Sequence, residues 1–248
     1  MDMIPKKRYK MIACEILFRE VCYCAAKCSN IIDIQFMQKG LHDIGTEKMS
    51  DKLQQAIDQT DKEKYDAILL CYGLCNNGVG DLHGTIPIVI PRAHDCITLL
   101  LGSKEKYREY FDHNPGTYFK SSGWIERDTD TEENDVMSQL GLEKSYEDYV
   151  ELYGEDNAEY IMEILGGWET KYTKMTFINT TVGDVGMDRI ISRKDAESKN
   201  WEFKEIDGDV RLILNLMNGQ WDENEFLIVP AGHKIMPSND ERIVNSGL

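Results

Sequence analysis

The chain has 248 residues, of which 44 are acidic and 28 are basic, so its formal net charge is −16. Nucleic acids and anionic membrane surfaces require clustered Lys and Arg, so this balance excludes both as the main partner. Because 42% of the residues are apolar, the chain can build at least one sizeable core, and disorder throughout is excluded.

Short apolar runs alternate with helical patterns over the first 106 residues. The first strand is predicted within the apolar run 11–17 and others over 31–37, 67–72 and 86–90, with helices over 19–27 and 47–59 and a further helix from 97. Runs rich in Val, Ile and Leu without polar alternation are typical of strands that are buried on both faces. This part of the chain therefore indicates a mainly parallel, doubly wound α/β sheet.

The middle of the chain has a different pattern, and the alternation then resumes. Residues 107–127 are aromatic and contain glycine, which predicts loops or a short strand pair; 128–134 is an acidic loop, and 146–172 has a long helical pattern. Strands follow over 175–179, 201–206 and 226–229, with helices over 185–200 and 210–217. We therefore predict an α/β fold in two similar halves, 1–106 and 175–248, with a helical and aromatic insertion at 107–174.

All seven cysteines lie within the first 96 residues. An odd number in a chain of this length argues against a complete disulfide framework and favours reduced thiols or metal thiolates. The start of the chain lacks a signal-peptide core and no apolar run reaches about 18 residues, so a cytoplasmic protein is expected. Cys71 lies in an apolar run and is predicted as core, and Cys22, Cys24 and Cys28 are predicted to pack a helix.

The strongest chemical pattern combines Cys75, His94 and Cys96. His94 and Cys96 are two residues apart, so both side chains point to one face of an extended segment. Cys75 follows the neighbouring strand, at the end of a parallel sheet where ligands bind. One imidazole and two thiols suit zinc with an open position, whereas the alternative is two small buried residues and a loop histidine. If Cys14, at the end of the first strand, joins them, an iron–sulfur cluster or a closed zinc site also fits.

Further positions at the same strand ends are predicted to contact a ligand or substrate. Gly73, Asn77 and Gly78 lie in a loop that is neither a P-loop nor a dinucleotide-binding loop, so they are predicted to let the backbone approach a ligand closely or to form a left-handed turn. Arg92 and Asp95 flank the His/Cys pair and are predicted as catalytic or substrate-contacting groups. Glu15 is a candidate acid/base group, with a helix ion pair as the alternative.

Several longer strings, spread over about residues 11–232, match those of one known group of proteins. They are Ala13-Cys14-Glu15 with Arg19-Glu20, Gly40-Leu41-His42-Asp43, Tyr72-Gly73-Leu74-Cys75 with Asn77-Gly78, Pro91-Arg92-Ala93-His94-Asp95-Cys96 with Gly102-Ser103, Gly116-Thr117-Tyr118 with Gly123-Trp124-Ile125, and Tyr153-Gly154-Glu155-Asp156-Asn157-Ala158. On these strings the chain resembles the DUF1638 family, an uncharacterised bacterial and archaeal group. The resemblance implies an anaerobic setting, often beside corrinoid-dependent methyltransferase systems. Zinc enzymes of those systems hold their metal with a His-x-Cys pair and a distant Cys, which is similar in kind to His94-x-Cys96 with Cys75, although here the distant Cys comes first.

Taken together, these features predict a cytoplasmic metal-binding protein of one-carbon or corrinoid-linked metabolism. Its ligands would be Cys75, His94, Cys96 and Cys14, zinc is the expected metal, and a metal-activated thiolate would serve methyl transfer to a small-molecule substrate. One alternative is a binding or chaperone module for a corrinoid protein, without turnover of its own. The other is an iron–sulfur enzyme.

Overall fold

The fold was analysed in a computed structural model that describes residues 6–39, 41, 46–75, 77–128, 150 and 172–248. Its main sheet has five strands in the order β2-β1-β3-β4-β8. These strands are β1 (Arg8–Cys14), β2 (Ile31–Met37), β3 (Ala67–Cys71), β4 (Ile88–Pro91) and β8 (Phe226–Val229). The first four are parallel, and β8 runs antiparallel to β4 along the edge of the sheet.

Helices cover both faces of this sheet, which is why all five residues of β3 are buried. A 3₁₀ turn (Glu15–Leu17) leads from β1 into α1 (Phe18–Lys27), which packs with α7 (Arg211–Asn218) on one face. On the other face lies α2 (Thr46–Asp58), whose buried stripe is Met49, Leu53, Ala56 and Ile57. After β4 the chain forms α3 (Cys96–Leu101) and α4 (Lys104–His113).

A second sheet has three parallel strands in the order β5-β6-β7. They are β5 (Thr117–Lys120), β6 (Lys174–Asn179) and β7 (Glu202–Asp207), accompanied by α5 (Ser122–Asp128) and α6 (Val185–Ser198). A separate antiparallel pair is formed by β9 (Lys234–Pro237) and β10 (Val244–Gly247).

The carboxyl ends of the two parallel sheets meet. Gly123, at the start of α5, lies so close to the 3₁₀ turn after β1 that a Cβ atom there would be 1.7 Å from the carbonyl oxygen of Ile16. Thr180, directly after β6, donates a 2.7 Å hydrogen bond to the buried Glu20 carboxylate of α1. In sheets of this kind ligands bind at the carboxyl ends of the strands, so this junction is where a site is expected.

The predicted α/β class with a mainly parallel sheet is confirmed. The arrangement as two similar halves is not, because Phe226–Val229 joins the main sheet beside β4. Residues 117–120, predicted as part of the insertion, pair with β6. The first strand ends at Cys14, as predicted, and the pair β9-β10 has no counterpart among the predicted elements.

Helix α4 replaces the loops or strand pair predicted after residue 107. It begins at Ser103, whose hydroxyl accepts hydrogen bonds from the backbone N–H groups of Glu105 and Lys106. Its Tyr107, Tyr110 and Phe111 have helical spacing, and Tyr107 and Tyr110 pack against the core although neither is fully buried. Apart from Asp128, Val150 and Tyr172, the predicted acidic loop 128–134 and helical segment 146–172 lie outside the described residues. In the part of the chain that the structure describes, no helix is long and apolar enough to cross a membrane.

Candidate functional site

The candidate site lies where β1, β3 and β4 end side by side. Cys14 is the last residue of β1, Cys75 follows β3 by four residues, and Cys96 begins α3 after β4. The loops after β3 and β4 stay paired beyond the strands, because the N–H groups of Leu74 and Cys75 donate 2.8 Å bonds to the carbonyls of Ala93 and His94. The three cysteines therefore lie at the same edge of the sheet, at the carboxyl ends of neighbouring strands.

Two backbone features hold the loop after β3 against the loop after β4. A Cβ atom on Gly73 would lie 2.5 Å from the backbone nitrogen of Asp95, so only glycine fits there. Cys75 has a φ of 44°, in the left-handed region that non-glycine residues rarely adopt. Such strained residues concentrate at functional sites.

The ligand-binding role predicted for the glycines is not tested, but the neighbours of both glycines are protein atoms. The space beside Gly73 holds the Asp95 backbone, and that beside Gly78 holds the Met49 side chain, whose sulfur would be 2.3 Å from an added Cβ. Neither glycine has a positive φ; among the described residues of this loop, Cys75 and Asn77 are left-handed, with φ values of 44° and 65°. Close approach between loop and protein therefore accounts for both glycines.

Burial dominates the electrostatics of the thiols at the site, although Cys14 is buried and Cys75 and Cys96 are half-buried residues. The pKa of Cys75 is raised to about 12, first by burial and then by the thiol of Cys14 and the carboxyl of Asp95, while hydrogen bonds from the backbone of Gly73 and Cys96 act in the opposite direction. The pKa of Cys96 lies well above its ordinary value, first because of burial and then because of Asp95, Cys75 and Cys14. As thiols, these groups are neutral at pH 7 and poor nucleophiles.

Asp95 caps α3 and so fixes the position of Cys96. One carboxylate oxygen accepts a 3.2 Å bond from the Thr98 N–H, and the other accepts a 3.1 Å bond from the Tyr107 hydroxyl. Burial is the main cause that raises the pKa of this carboxyl. With both oxygens engaged, Asp95 serves the local structure; the catalytic role predicted for it is untested.

His94 joins the two loops through its backbone, and its side chain is exposed. The side chain lines a groove of about 860 Å³ along α4, where its ring centroid is 6.1 Å from that of Tyr107. Asp95, between His94 and Cys96, has an extended backbone, and the role of His94 as a metal ligand stays a prediction. Among the described residues, no group of three or more His, Cys, Asp or Glu side chains is arranged to hold a metal ion.

Arg92 and Glu15, the other predicted catalytic residues, bind backbone groups. The Arg92 guanidinium donates hydrogen bonds to the carbonyls of Glu223, Arg242 and Val244, which ties the end of β4 to β10. Glu15 accepts a hydrogen bond from the N–H of Lys39, just after β2. Both contacts hold neighbouring segments in place.

The remaining cysteines pack the fold. None of the seven, all of which lie in described segments, forms a disulfide. Cys71 is fully buried in β3, as predicted. The thiols of Cys24 and Cys28 lie 3.8 Å and 3.3 Å from the carbonyls of Val210 and Met217, so they pack α1 against α7 and its N-terminal cap. Burial raises the pKa of Cys22, Cys24 and Cys28.

Sequence reasoning overlooked two tyrosines near the thiols. Tyr107, in the segment predicted as loop, supports Asp95. Tyr72 follows β3 and is buried, and its pKa is raised first by burial and then by the neighbouring cysteines, including a side-chain hydrogen bond with Cys14. A tyrosine at the end of an otherwise apolar strand was the available signal, because its polar hydroxyl needs a partner when buried.

Comparison with known proteins places the chain in a family. The sequence model of one family, described as "Protein of unknown function (DUF1638)", matches residues 36–217. The chain belongs to the DUF1638 family. Neither the curated proteins nor the solved structures that were searched contain a match to it. The DUF1638 match spans the loops that carry Cys75 and Cys96, whereas Cys14 precedes it.

Proposed function

We propose that this DUF1638 protein binds a thiophilic metal ion, zinc in the first place, through Cys14, Cys75 and Cys96. The observation that carries the proposal is the convergence of three thiols, each from the end of a different strand of one sheet. Thiolates are the protein ligands that zinc and other soft metals prefer. Three of them leave a fourth position for another ligand.

The electrostatics of the site favour a cation. Each of the buried thiols raises the cost of ionising its neighbours, as the effects of Cys14 and Cys75 on Cys96 indicate. A bound metal ion reverses this balance, because it stabilises all three thiolates and releases their protons. The same cysteines would thus be inert without a metal and ionised with one.

The proposal requires some local adjustment. Since the described side chains do not already surround one point, the thiols must turn toward a shared ion. The left-handed backbone at Cys75 is a second supporting observation, because strained backbone conformations are found mainly at residues with a function. His94 is exposed on the neighbouring turn, and its role as the fourth ligand stays a prediction.

The reaction that suits such a site is alkyl transfer to a thiol in the cytoplasm. A substrate thiol that occupies the fourth position would lose its proton to solvent and remain a thiolate nucleophile at neutral pH. Its sulfur would attack the methyl group of a donor, the bond from methyl to donor would break with its electron pair left on the donor, and a thioether would leave. The family resemblance suggests a methyl-corrinoid as that donor.

Anaerobic purification with metal analysis tests the proposal. We expect zinc in the wild-type protein, or uptake of one equivalent of added Zn²⁺, and loss of that zinc in Cys75→Ser and Cys96→Ser. The matched control is Cys22→Ser, because Cys22 lies on α1 and only burial affects its pKa. If wild-type protein neither contains nor binds a thiophilic metal, or if Cys22→Ser loses it equally, the proposal is wrong.

An iron–sulfur cluster is the second candidate, favoured by the number of thiols. Three cysteines can hold a four-iron cluster and leave one iron open, whereas a structural zinc site commonly has four protein ligands. The visible spectrum of the same anaerobic preparation separates the two, since a cluster is brown and zinc is colourless. A non-catalytic module for a corrinoid protein would instead form a stable complex with that protein and keep its affinity in Cys75→Ser.

A further inference from the structure

One edge of the main sheet is a long strand with little protection against pairing. β2 comprises the seven residues Ile31–Met37, and within the described ranges it pairs with β1 alone. Five of the seven are apolar, yet none is fully buried, and Ile31 is 42% exposed. Proteins usually protect such an edge with Pro, Lys or a bulge. β2 has none of these, and its one charge, on Asp33, is balanced by Arg8 and Lys64.

Every second residue of β2 directs its backbone away from the sheet. The N–H of Ile31 donates a 2.9 Å hydrogen bond to the carbonyl of Lys7, at the start of β1. Because the direction alternates along a strand, the N–H and C=O groups of Ile32, Ile34 and Phe36 point to the open side. The middle residue of the strand, Ile34, is therefore one of those that can bond to a further strand.

The sequence of β2 is complementary to itself in the antiparallel direction. When two copies of the strand pair about a two-fold axis at residue 34, the facing residues are Ile31 with Met37, Ile32 with Phe36, Asp33 with Gln35, and Ile34 with Ile34. Apolar residues thus face apolar residues, and the single charge faces a neutral amide, so like charges do not meet. Since Ile34 directs its backbone outward, the axis falls on a hydrogen-bonded pair, and every outward N–H and C=O of the strand finds a partner.

An exposed aromatic ring extends this edge onto α1. Phe18, the first residue of α1, is 38% exposed and packs against Phe36, with 4.9 Å between the ring centroids. Ile32 and Ile34 lie on the same face as Phe36, because all three pack against the core that α1 covers. In a two-fold dimer the same patch of both copies meets, so the exposed part of Phe18 lies beside the pairing strands.

We propose that two copies of this chain associate through antiparallel pairing of their β2 strands, which joins the two main sheets into one. A second copy is the partner because the strand matches its own sequence at every position of the pairing. One pair of strands with its flanking side chains is a small interface, so the dimer should dissociate reversibly on dilution. The cysteines of the candidate site take no part in the pairing, so the dimer is expected with or without a bound metal.

Sedimentation velocity under reducing conditions tests the association, at protein concentrations from about 1 µM to about 100 µM. We expect a reversible dimer for the wild-type protein. Ile31→Lys should raise the dissociation constant about tenfold, because the lysine would face Met37 of the other copy at both ends of the pairing. The matched control is Ile228→Lys on β8, the opposite edge of the same sheet, where the isoleucine is 47% exposed. It adds the same charge and should leave the dissociation constant unchanged.

Two variants at the axis test the register of the strands. In Ile34→Lys and in Ile34→Glu, two like charges would face each other across the axis, so we expect each variant alone to be monomeric. Mixing equal amounts places the introduced lysine opposite the introduced glutamate, and a heterodimer should form. This pattern requires that residue 34 faces residue 34 of the other copy.

Wild-type protein that stays monomeric over the whole concentration range overturns the proposed dimer. A dimer that Ile31→Lys and Ile228→Lys weaken equally also overturns it, because another surface would then hold the copies together. If the two Ile34 variants fold and stay monomeric when mixed, the strands do not pair about this axis, and the proposal is wrong. Circular dichroism shows whether each variant folds; if an Ile34 variant does not, the comparison of Ile31→Lys with Ile228→Lys decides, since both replaced side chains are exposed.

Discussion

Gly73 sets how closely the loop after β3 approaches the loop after β4. A methyl group there would meet three backbone atoms of Asp95, at 2.5–2.9 Å, and backbone cannot move aside as a flexible side chain can. We therefore expect Gly73→Ala to lower the free energy of unfolding by about 2 kcal/mol or more. Urea denaturation monitored by circular dichroism measures this change.

The matched control for that substitution is Gly186→Ala. Gly186 lies near the start of α6, and a methyl group there would meet only one atom, a carboxylate oxygen of Asp184 at 3.7 Å. Stability should stay equal or rise by up to about 1 kcal/mol, because alanine is the better helix residue. If both variants lose the same free energy of unfolding, the close contact between Gly73 and Asp95 is not the reason for the loss in Gly73→Ala.

Glu20 is a buried carboxyl at the junction of the two sheets, and its titration makes stability depend on pH. One oxygen accepts the bond from Thr180, while the other has no partner among the described residues. Burial is the main cause that raises the pKa of this carboxyl, and the Thr180 bond opposes it. Since the folded-state pKa exceeds the unfolded value of about 4.3, the folded state holds the proton more tightly.

The sign of the pH dependence follows from that difference. Below about pH 4 the carboxyl is protonated in both states, and as pH rises through the folded-state pKa its burial increasingly opposes folding. Glu20→Gln keeps an acceptor for Thr180 and cannot ionise, so we expect it to be more stable than wild type at about pH 8 by a larger margin than at about pH 5. Urea unfolding at both pH values checks this, with the exposed Glu63→Gln as control. A variant that is less stable than wild type at the higher pH would contradict the assignment.

Helix α3 is the element that presents Cys96, and its cap controls that position. Asp95 bonds to the N–H of Thr98 and to the hydroxyl of Tyr107. Asp95→Ala removes the cap and leaves the Tyr107 hydroxyl unpaired, so we expect a loss of about 2–3 kcal/mol. Asp95→Asn keeps a capping oxygen and should lose clearly less. Thermal unfolding of the two variants measures the difference, and equal losses would show that charge, not capping, is what matters.

Strands and helices with a clear apolar pattern could be predicted from the sequence. β2 and β8 occupy the predicted residues, and α2 buries the predicted stripe, because apolar residues in these segments follow a simple pattern along the sequence. Such a pattern does not show which strands pair with each other. Phe226–Val229 is predicted as a strand, but its position beside β4 depends on which edge of a sheet is free to accept it. α4 was predicted as loops or a strand pair, although Tyr107, Tyr110 and Phe111 have helical spacing.

The same distinction applies to the candidate site. Cys14, Cys75 and Cys96 could be grouped from the sequence because residues that follow parallel strands share one edge. The exposure of the His94 side chain could not be predicted, since it depends on the position of α4. Tyr72 was not recognised because it ends an apolar run, and only its hydroxyl distinguishes it from the other residues of that run.

The excess negative charge of the whole molecule is concentrated in one stretch of sequence. Residues 126–163 contain 14 acidic and 2 basic residues, a net of −12, which leaves −4 of the total −16 for the rest of the chain. Repulsion among like charges opposes the compact state and is screened by salt. In most of the ion pairs in the described ranges at least one side chain is exposed, and such a pair contributes about 1 kcal/mol or less, so screening of these pairs costs little.

Added salt should therefore stabilise the protein. Raising NaCl from about 0.01 M to about 0.15 M shortens the Debye length from about 30 Å to about 8 Å, which screens charges within this stretch. We expect the thermal midpoint to rise by about 2–4 °C, the shift that about 1 kcal/mol produces in a chain of this size. A variant with Asp130→Asn, Glu132→Gln, Glu133→Gln and Asp135→Asn should show a smaller rise, because part of the repulsion is already gone. A midpoint that falls with salt in the wild-type protein would mean that attractive pairs outweigh the repulsion within 126–163.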